Sequence, residues 1–559
     1  MIKYEEAPDI KKKIDSLVLA SEMKHLNAER IFCIRSYGSK SRGVVARCHA
    51  LPKIMQKALN IEPAYIIEII SETFDKQIED EKIKILIHEL CLPTEEQVVI
   101  ESEKGLEIAK IGKFIEKEFN KAKVIKKSSN WEWIIPSKRY KAISYNLNKK
   151  IVELNEITKL MRRRNTEKKI VEIITKDGRK IESSPTHPIL FTKNPDSYDS
   201  PKRKTVHIKS VKAKDILKQR GIPRLLEIFS LPKLSKKIYK INLTDLLKYK
   251  TGFDSIILKK GYLFKKGVKG IKIPNKFVLD NELGLFFGFY LSKGSIDHKS
   301  GAVSFSFDKK EYQYHNLIKK ILKERFGAKI KERKIHKGSC KVIYTYSRLL
   351  QKIISDVFGF GEKAHHKKIP PFVYYAPIEF ISGLVDGWFA GDGHVLFNKK
   401  IRAVTLSAFS RSKELIFGML LLLARLKIIW RLRRDQQDIR IQSFFIPKFF
   451  KYCKKLIEYK NMQDKIDSIK RMKHEKQFNF LKYPKIRNVK IKKYNDEYFY
   501  NLEVQPNNNF MHASGIFTHN CHIPKSFGGG FRHHNTITKT RVKKLFNRYK
   551  NSIDENRKI

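Results

Sequence analysis

The sequence of 559 residues is poor in cysteine and in acidic residues, and it has no long apolar run. Its six cysteines form no CxxC pair and are too sparse for a disulfide framework. The densest apolar stretch, residues 414–429, contains Glu, Arg and Lys, so no membrane span is predicted. The start, MIKYEEAPDIKKK, lacks the apolar core of a signal peptide. We therefore expect a cytoplasmic, soluble protein without a membrane partner, divided into roughly three or four domains.

Acidic residues are outnumbered two to one, because 116 Lys+Arg stand against 58 Asp+Glu and give a net charge of +58. Such a surplus attracts polyanions, and counterion release makes nucleic acid the first partner to consider. A codon bias that leaves a solvated basic surface would give the same count. The longest basic runs lie in the middle of the chain, with Tyr and Phe among them: KKGYLFKKGVKGIK, KKILKERFGAKIKERKIHKGSCK and RLRRDQQDIRIQ. They favour a DNA-facing surface there.

A helical pattern breaks off at Cys91, and a second fragment begins just as abruptly at Cys521. The apolar residues before the break recur at helical spacing: Ile83, Leu86, Ile87 and Leu90. When residues 91–520, 430 in number, are removed, the remaining 129 residues join as IKILIHEL and CHIPKSFGGGFRHH. The junction reads HELCH, an HExxH sequence on a helix, which is a metal-binding pattern.

The ends of the removed segment carry the groups that self-excision needs. The thiol of Cys91 can attack the preceding carbonyl carbon and convert the Leu90–Cys91 amide into a thioester, and the thiol of Cys521 can accept the acyl group. The side-chain amide of Asn520 can cyclise and cut the Asn520–Cys521 bond, with His519 beside it as a proton donor. An ordinary β-rich domain with incidental Cys and His is the alternative interpretation.

This segment resembles a large intein. CLPTEEQVVIES is similar to the first intein block, and GRKIESSPTHPILF is similar to the second. The resemblance implies that His187 protonates or polarises the Leu90–Cys91 amide, that Ser184 assists, and that no cofactor is needed. EYFYNLEVQPNNNFMHASGIFTHN resembles the last two blocks, in which His519 and Asn520 occupy their usual positions. Two residues depart from the family pattern and can slow individual steps: Asn501, where Asp is common, and Asn508, where His is common.

The flanks of the segment are predicted to be strands. KKIVEIITKDGRKIESS predicts two strands joined by a Lys-Asp-Gly turn, and VKIKKYNDEYFYNLEVQ predicts two strands around an Asn-Asp pair. We expect them to form one all-β, horseshoe-like domain of the intein (Hint) type from residues 91–230 and 483–520. Splicing requires this domain to bring Cys91, His187, Asn520 and Cys521 together.

Residues 240–480 contain an internal duplication, LFFGFYLSKG and LVDGWFAGDG, in which a glycine midway along an apolar helix allows close helix approach. The two copies resemble the motif helices of LAGLIDADG homing endonucleases. This implies an α+β domain that binds double-stranded DNA, with AVSFSFD and AVTLSAF in the sheets that contact the duplex. Asp392 matches the carboxylate that binds Mg²⁺, but Lys293 replaces the first motif acid and repels a cation. We therefore expect a degenerate nuclease, with Asp297 as a candidate substitute acid.

The joined flanks, residues 1–90 and 521–559, would form one small host domain. HExxH on a helix places His88 and His522 on one face to bind Zn²⁺, with Glu89 as the general base. The pattern HELxHIPK…GG…H resembles that of archaeal and phage metallopeptidases. It implies a mainly helical, zincin-like fold, a third zinc ligand at His534 with His533 as the alternate, and a peptide or protein substrate. A helix with surface histidines is the alternative.

Together these patterns predict a multidomain α+β chain that splices itself, releases a nested endonuclease and joins a zinc hydrolase. The insert separates the two halves of the HExxH motif, so we expect zinc binding only after splicing. Two rival functions stay open: a non-splicing LAGLIDADG-type protein that binds or cuts DNA, and a permanently unspliced structural fusion.

Overall fold

The fold is described by a computed structural model, which divides the chain into two units: Glu89–Cys521, and Met1–His88 together with His522–Ile559. The residues described are 3–11, 31–37, 46–50, 65–70, 91–128, 131–192, 208–219, 221–234, 237–247, 255–267, 270–335, 339–398, 403–433, 435–441, 445–455 and 481–520. No helix within these ranges is long and apolar enough to cross a membrane.

The described residues of the flanking unit form mostly a four-stranded sheet. Its strands are β1 (Lys3–Glu6), β2 (Ile31–Tyr37), β3 (Ala46–Ala50) and β4 (Tyr65–Ile70), in the order β1-β2-β4-β3. Strands β2 and β4 run parallel, and the other pairs are antiparallel. Isoleucine-rich runs such as IFCIRSY and YIIEII favour strands, so a mainly helical host is not confirmed in this part of the chain. The predicted HExxH helix and its partners, namely His88, Glu89, His522, His533 and His534, lie outside the described residues.

The unit Glu89–Cys521 has a β-rich part, residues 91–234 and 481–520, and a nested part, residues 237–455. The first β-rich segment contains β5 (Gln97–Ser102), β6 (Gly105–Lys110), α1 (Ile111–Phe119), β7 (Lys126–Ser128), β8 (Trp131–Ile134), β9 (Lys141–Asn146), β10 (Ile151–Arg164), β11 (Lys169–Thr175), β12 (Lys180–Ser183), β13 (Pro188–Thr192), β14 (Ile208–Lys212), a 3-10 turn (Ala213–Lys218), β15 (Arg224–Leu225) and β16 (Glu227–Ile228).

The nested part contains two helical halves preceded by short strands. Its first elements are β17 (Lys240–Asn242), α2 (Leu243–Leu247), β18 (Ile256–Lys259), β19 (Tyr262–Lys265), β20 (Ile273–Pro274) and β21 (Lys276–Val278). The first half contains α3 (Asn281–Lys293), β22 (Gly294–Asp297), β23 (Ala302–Asp308), a 3-10 turn (Lys309–Glu311), α4 (Tyr312–Phe326), β24 (Lys331–Ile335), β25 (Cys340–Tyr346), α5 (Arg348–Lys352) and a π-helical turn (Ile353–Val357). After a 3-10 turn (Pro371–Tyr375), the second half contains α6 (Ile378–Asp392), β26 (Gly393–Asn398), β27 (Ala403–Phe409), α7 (Lys413–Arg425), β28 (Trp430–Arg433), β29 (Asp438–Ile441) and α8 (Ile446–Tyr452). The chain then returns to the β-rich part through β30 (Leu481–Lys482), β31 (Ile486–Lys493), β32 (Tyr498–Gln505), β33 (Asn509–Met511) and β34 (Phe517–His519).

The two segments of the β-rich part interleave strand by strand. Strand β32 pairs antiparallel with β10, β31 with β11, and β30 with β16. The strands predicted around the Lys-Asp-Gly turn are β11 and β12, and those predicted around the Asn-Asp pair are β31 and β32. Apolar residues that alternate along these strands, such as Val171, Ile173, Leu502 and Val504, form one buried core. Each segment therefore needs the other to complete its sheets.

The two halves of the nested part repeat one topology. Each half begins with a long helix, and their sheets have the equivalent orders β22-β23-β25-β24 and β26-β27-β29-β28. The predicted runs AVSFSFD and AVTLSAF are β23 and β27, the second strand of each sheet. The duplication read from the sequence is therefore present in the fold.

Helices α3 and α6, which carry the duplicated motifs, pack with their backbones in close contact. A Cβ atom built on Gly288 would lie 2.3 Å from the carbonyl oxygen of Leu384, and one built on Gly387 would lie 2.5 Å from that of Leu285. Any side chain at these glycines would force the helices apart. The packing brings the C-terminal ends of both helices to one place.

Candidate functional site

The start of the insert is attached to a strand near its end. Leu92 donates to the carbonyl oxygen of Tyr500 and accepts from the amide of Tyr500, both at 2.7 Å. The amide of Ser184 donates to the carbonyl oxygen of Cys91 at 3.0 Å. Cys91 is fully buried. These contacts hold the backbone of Cys91 between β32 and the loop that follows β12.

The loop between β12 and β13 carries Ser184 and His187. The amide of His187 donates to the carbonyl oxygen of Ser184 at 3.0 Å, which closes a turn. The Nε2 atom of His187 lies 2.5 Å from the hydroxyl of Thr518 on β34. His187 therefore connects the beginning of the insert with its end.

His187 is held neutral by its surroundings. Burial lowers its pKa to about 3, and repulsion from His519 acts in the same direction. Three polar atoms in this turn are buried without a hydrogen-bond partner among the described residues: the Nδ1 of His187 and the hydroxyls of Ser184 and Thr186. Buried polar atoms without hydrogen-bond partners are rare because they cost free energy, and a catalytic role is one explanation for them. The turn is therefore a candidate reaction site.

The C-terminal end of the insert lies next to the loop between β12 and β13, because Thr518 contacts His187. Asn520 is fully buried, its amide donates to the carbonyl oxygen of Asn508 at 3.0 Å, and its side-chain Nδ2 donates to that of Val504 at 2.9 Å. The Nδ1 atom of His519 lies 2.7 Å from the carbonyl oxygen of Asn520. This carbonyl belongs to the bond that Asn520 cyclisation would cut.

A second cluster lies where α3 and α6 end. The ammonium of Lys293 is 3.4 Å from the carboxylate of Glu311. Packing around the helix end raises the pKa of Asp392 to about 7, although its side chain reaches solvent and Lys293 and Lys367 oppose the rise. Asp297 is engaged elsewhere, since its carboxylate accepts from the backbone and hydroxyl of its own turn. No group of three acidic, His or Cys side chains that could hold a metal ion occurs among the described residues.

The open faces of the two nested sheets are basic. On the first sheet, Lys331 lies over the ring of Tyr346 and Arg333 lies over the ring of Tyr344. On the second sheet, Arg431 and Arg440 are register partners. Beyond the first sheet, a cavity of about 400 Å³ is lined by Ser255, Ile256, Lys265, His298, Arg348, Leu349, Gln351 and Lys352. Cationic and aromatic side chains on an open sheet are typical of nucleic-acid contacts.

Comparison with protein families decides the identity of the insert. The family model of the intein splicing domain matches residues 77–520, about four fifths of the chain. The chain belongs to the intein splicing domain family. The family model described as putative phage metallopeptidase matches residues 2–114, so the intein interrupts a host whose N-terminal part resembles that family.

The chain is similar to parts of two curated proteins that have different functions. The DNA-directed RNA polymerase subunit Rpo1C of Methanocaldococcus jannaschii is 28% identical over 344 residues, which cover 61% of this chain and 36% of that protein. The DNA polymerase II large subunit of Thermococcus kodakarensis is 29% identical over 129 residues, which cover 23% of this chain and 7% of that protein. The chain therefore spans about a third of the length of the first relative and less than a tenth of the length of the second. Only 129 residues lie outside the insert, so most of the residues aligned with the RNA polymerase subunit belong to the intein.

Solved structures overlap with parts of the chain. The transcription factor IIB Mvu mini-intein has 16% identity and a TM-score of 0.22, with 26% of this chain and 73% of that one covered. The homing endonuclease I-WcaI, bound to its DNA recognition sequence, has 19% identity and a TM-score of 0.24, with 33% and 85% covered. The family assignment rests on the intein splicing domain match alone.

The structure brings together most of the predicted intein residues. Cys91, Ser184, His187, His519 and Asn520 are joined through the contacts described above, whereas Cys521 and the acyl side of the first scissile bond lie outside the described residues. Thr518, the hydrogen-bond partner of His187, was missed by sequence reasoning. It lies two residues before Asn520, but nothing in its local sequence shows that its hydroxyl meets a side chain 331 positions away.

The two departures from the intein pattern have different surroundings. Asn501 is buried on β32, and its side-chain oxygen accepts from the amide of Leu502 at 2.6 Å. Asn508 adopts a left-handed φ of 54°, and its side-chain oxygen is buried without a hydrogen-bond partner among the described residues. Asparagine tolerates this backbone conformation better than most residues. Asn508 contacts Asn520 directly, through its backbone carbonyl.

Proposed function

We propose that the chain is a precursor that excises residues 91–520 and ligates its flanks. The observation that carries this proposal is the contact path from Cys91 through Ser184, His187 and Thr518 to the terminal Asn520. Strand pairing between distant segments holds both ends of the insert in one buried site. Splicing requires the reacting groups at both ends of the insert to be held close together, because the acyl group must be transferred between them before water hydrolyses it.

The first step is an N–S acyl shift at Cys91. The thiol of Cys91 gives up its proton and its sulfur attacks the carbonyl carbon of Leu90. The C–S bond forms, the C–N bond breaks, and the nitrogen takes up the proton that the thiol has lost. The hydroxyl of Thr518 occupies the Nε2 atom of His187. The Nδ1 atom has no hydrogen-bond partner among the described residues, so we assign it to the departing nitrogen. With its pKa near 3, His187 is neutral at pH 7 and acts as an N–H donor rather than as an imidazolium.

Ligation then passes through Cys521 and Asn520. The thiol of Cys521 attacks the thioester and releases the thiol of Cys91. The Nδ2 atom of Asn520 attacks its own carbonyl carbon, which closes a succinimide and breaks the bond to Cys521, and the freed amine displaces the new thioester. In the resting structure Nδ2 donates to Val504, so this hydrogen bond must break before cyclisation. His519 is hydrogen-bonded to the carbonyl oxygen of Asn520 and stabilises the negative charge that develops on this oxygen during cyclisation.

Expression of the full chain followed by mass spectrometry tests this proposal. We expect products of 430 and 129 residues, with Leu90 joined directly to Cys521. Cys91→Ala and Asn520→Ala should each block ligation and leave different single-cleavage products. An intact 65.6 kDa chain, unchanged over time, would instead support the non-splicing alternatives.

We further propose that the joined flanks form a zinc hydrolase of the HExxH type, mainly helical around His88, Glu89 and His522, with His534 as the third ligand. The sequence match of the N-terminal flank to phage metallopeptidases supports this proposal. The chemistry of the donor set fits zinc, since three imidazoles leave one position for water. A bound zinc ion would polarise that water, which Glu89 could then deprotonate.

Zinc content tests the dependence of the host on splicing. The arrested variant Cys91→Ala/Asn520→Ala should contain much less than one zinc per chain after dialysis, and the spliced product should contain about one. Spliced product with His522→Ala serves as the control for nonspecific binding. Equal stoichiometric zinc in arrested and spliced protein would contradict the proposal.

For the nested part we propose binding of double-stranded DNA without metal-dependent cutting. The basic open faces of the two sheets support binding. The residues at the helix ends do not fit a divalent ion, because the ammonium of Lys293 lies beside Asp392 and is paired with Glu311. Lys293→Asp should create Mn²⁺ binding detectable by electron paramagnetic resonance, and Lys293→Asp/Asp392→Ala should abolish it. Equal Mn²⁺ binding by the native chain and Lys293→Asp would refute this reading.

A further inference from the structure

Four charged side chains are buried together behind the C-terminal splice junction: Asp177, Arg179, Glu227 and Lys482. The ammonium of Lys482 lies 2.8 Å from the carboxylate of Asp177 and 2.5 Å from that of Glu227. Arg179 pairs with Glu227 as well and is fully buried. Burial raises the pKa of Glu227, while the adjacent Arg179 and Lys482 favour its carboxylate. With that carboxylate ionised, the cluster contains two cations and two anions, and its formal charge is zero. Buried charges are tolerated only when they are paired in this way.

Arg179 also binds the turn that leads into the splice junction. Its Nη1 atom donates to the backbone carbonyl of Ser514. A Cβ atom on the next residue, Gly515, would lie 2.6 Å from Nη1, so the guanidinium fits directly against the turn. The turn is fixed on its other side, because the amide of Ile228 donates to the carbonyl of Gly515 at 2.8 Å. Five residues after this turn comes Asn520.

The nested part covers the cluster. The ring centre of Trp430, on β28, lies 4.9 Å from the guanidinium carbon of Arg179. The backbone carbonyl oxygen of Trp430 accepts a hydrogen bond from the ammonium of Lys482 at 3.3 Å. The amide of Leu432 donates to the carbonyl of Asp177 at 2.7 Å. Water is therefore excluded from the ion pairs, and the hydrogen bond to Ser514 is made in a medium of low polarity, where such bonds are strong.

We propose that Arg179 is a positioning residue for Asn520 cyclisation, and that it acts by fixing the Ser514 carbonyl and with it the path of β34. This inference rests on the proposed splicing function. It gives Arg179, which is remote from the reacting atoms, a role in one step of splicing, the cyclisation of Asn520. The first acyl shift depends less on this contact, because Ser184 and the strand pairing of Leu92 hold the backbone of Cys91 independently. Arg179 reaches that step only indirectly, through the hydrogen bond between Thr518 of β34 and His187. The two steps should therefore respond differently to loss of the guanidinium.

The two cleavage steps can be measured separately in the full-length chain. In the Cys91→Ala background, cyclisation releases residues 521–559. In the Asn520→Ala background, added dithiothreitol cleaves the thioester and releases residues 1–90. We expect Arg179→Met to slow the first release by at least about tenfold, the effect of losing a charged hydrogen bond, and the second by less than about twofold.

Two further variants separate positioning from general destabilisation. Arg163→Met removes another fully buried arginine of the same β-rich part, one that lies over the ring of Phe499, and should not slow cyclisation selectively. Arg179→Met/Glu227→Leu restores a neutral cluster without restoring the donor to Ser514, and cyclisation should stay slow.

Equal slowing of both releases by Arg179→Met, or no slowing, would overturn the proposal. So would recovery of cyclisation in Arg179→Met/Glu227→Leu, because the role of Arg179 would then be charge balance alone. If the unmodified chain and both background variants release no fragment, the splicing function itself is rejected, which is a different result from cleavage that ignores Arg179.

Discussion

The neutral state of His187 predicts a specific loss of stability in mild acid. Its pKa is about 3 in the fold, against about 6.5 in an unfolded chain. Because the folded value is the lower one, the fold is favoured by the neutral imidazole. This contribution is fully present above about pH 6.5 and is lost as the pH falls towards 3. The whole shift corresponds to about 5 kcal/mol, of which about 2 kcal/mol is lost by pH 5.

The loss can be measured on the splicing-arrested chain, Cys91→Ala/Asn520→Ala. Samples are equilibrated in urea at about pH 7.5 and about pH 5, pulse-labelled with deuterium at one common pH, and read by peptide mass spectrometry. Peptides from β12 and β13 report on the β-rich part separately from the nested part. Carboxylates also titrate in this range, so the informative quantity is the difference between the arrested chain and the same chain with His187→Gln.

His187→Gln should reduce the acid-induced loss of unfolding free energy by about 2 kcal/mol. The matched control is His365→Gln, which removes an exposed histidine and should leave the loss unchanged. If His187→Gln lost as much stability between the two pH values as the parent, or if His365→Gln gave the same reduction, the assignment of His187 as a buried neutral group would be wrong.

Three other substitutions have expected outcomes. Gly288→Ala would place a Cβ atom 2.3 Å from the carbonyl of Leu384, and we expect it to destabilise the nested part by roughly 1–3 kcal/mol in the same exchange assay. At Gly261→Ala no atom of the described residues lies within 4 Å of the added Cβ, so this substitution should cost only about 1 kcal/mol for its positive φ. An equal cost at both sites would contradict the close packing. Asn508→His should accelerate release of residues 521–559 in the Cys91→Ala chain by about tenfold, because imidazole exchanges protons near neutral pH and a carboxamide does not. An unchanged release rate would show that this side chain takes no part in Asn520 cyclisation.

The sequence predicted the parts of the site that depend on local order. An acyl shift needs its nucleophile at the first residue of the insert, and cyclisation needs Asn at the last, so Cys91 and Asn520 could be recognised from their positions. The two repeated Gly-containing helices could also be predicted, because a duplicated sequence pattern can be recognised without knowing which residues are in contact. Strand alternation located β11, β12, β31 and β32 for the same reason.

Contacts between residues that are far apart in the sequence could not be predicted in this way. The bridge from Leu92 to Tyr500 and the hydrogen bond from His187 to Thr518 join residues separated by hundreds of positions. The small strands before α3 also escaped prediction, since runs of two to four residues carry too little periodicity to be distinguished from loops.

By itself, the sequence determined which chemical groups the chain possesses and that its interrupted flanks restore a metal-binding motif. The tertiary structure alone decided the lowered pKa of His187 and the contacts that Arg179 makes. Both depend on burial and on charges contributed by distant strands, and the free energy of a charge is set by its surroundings in space rather than by its neighbours in the chain.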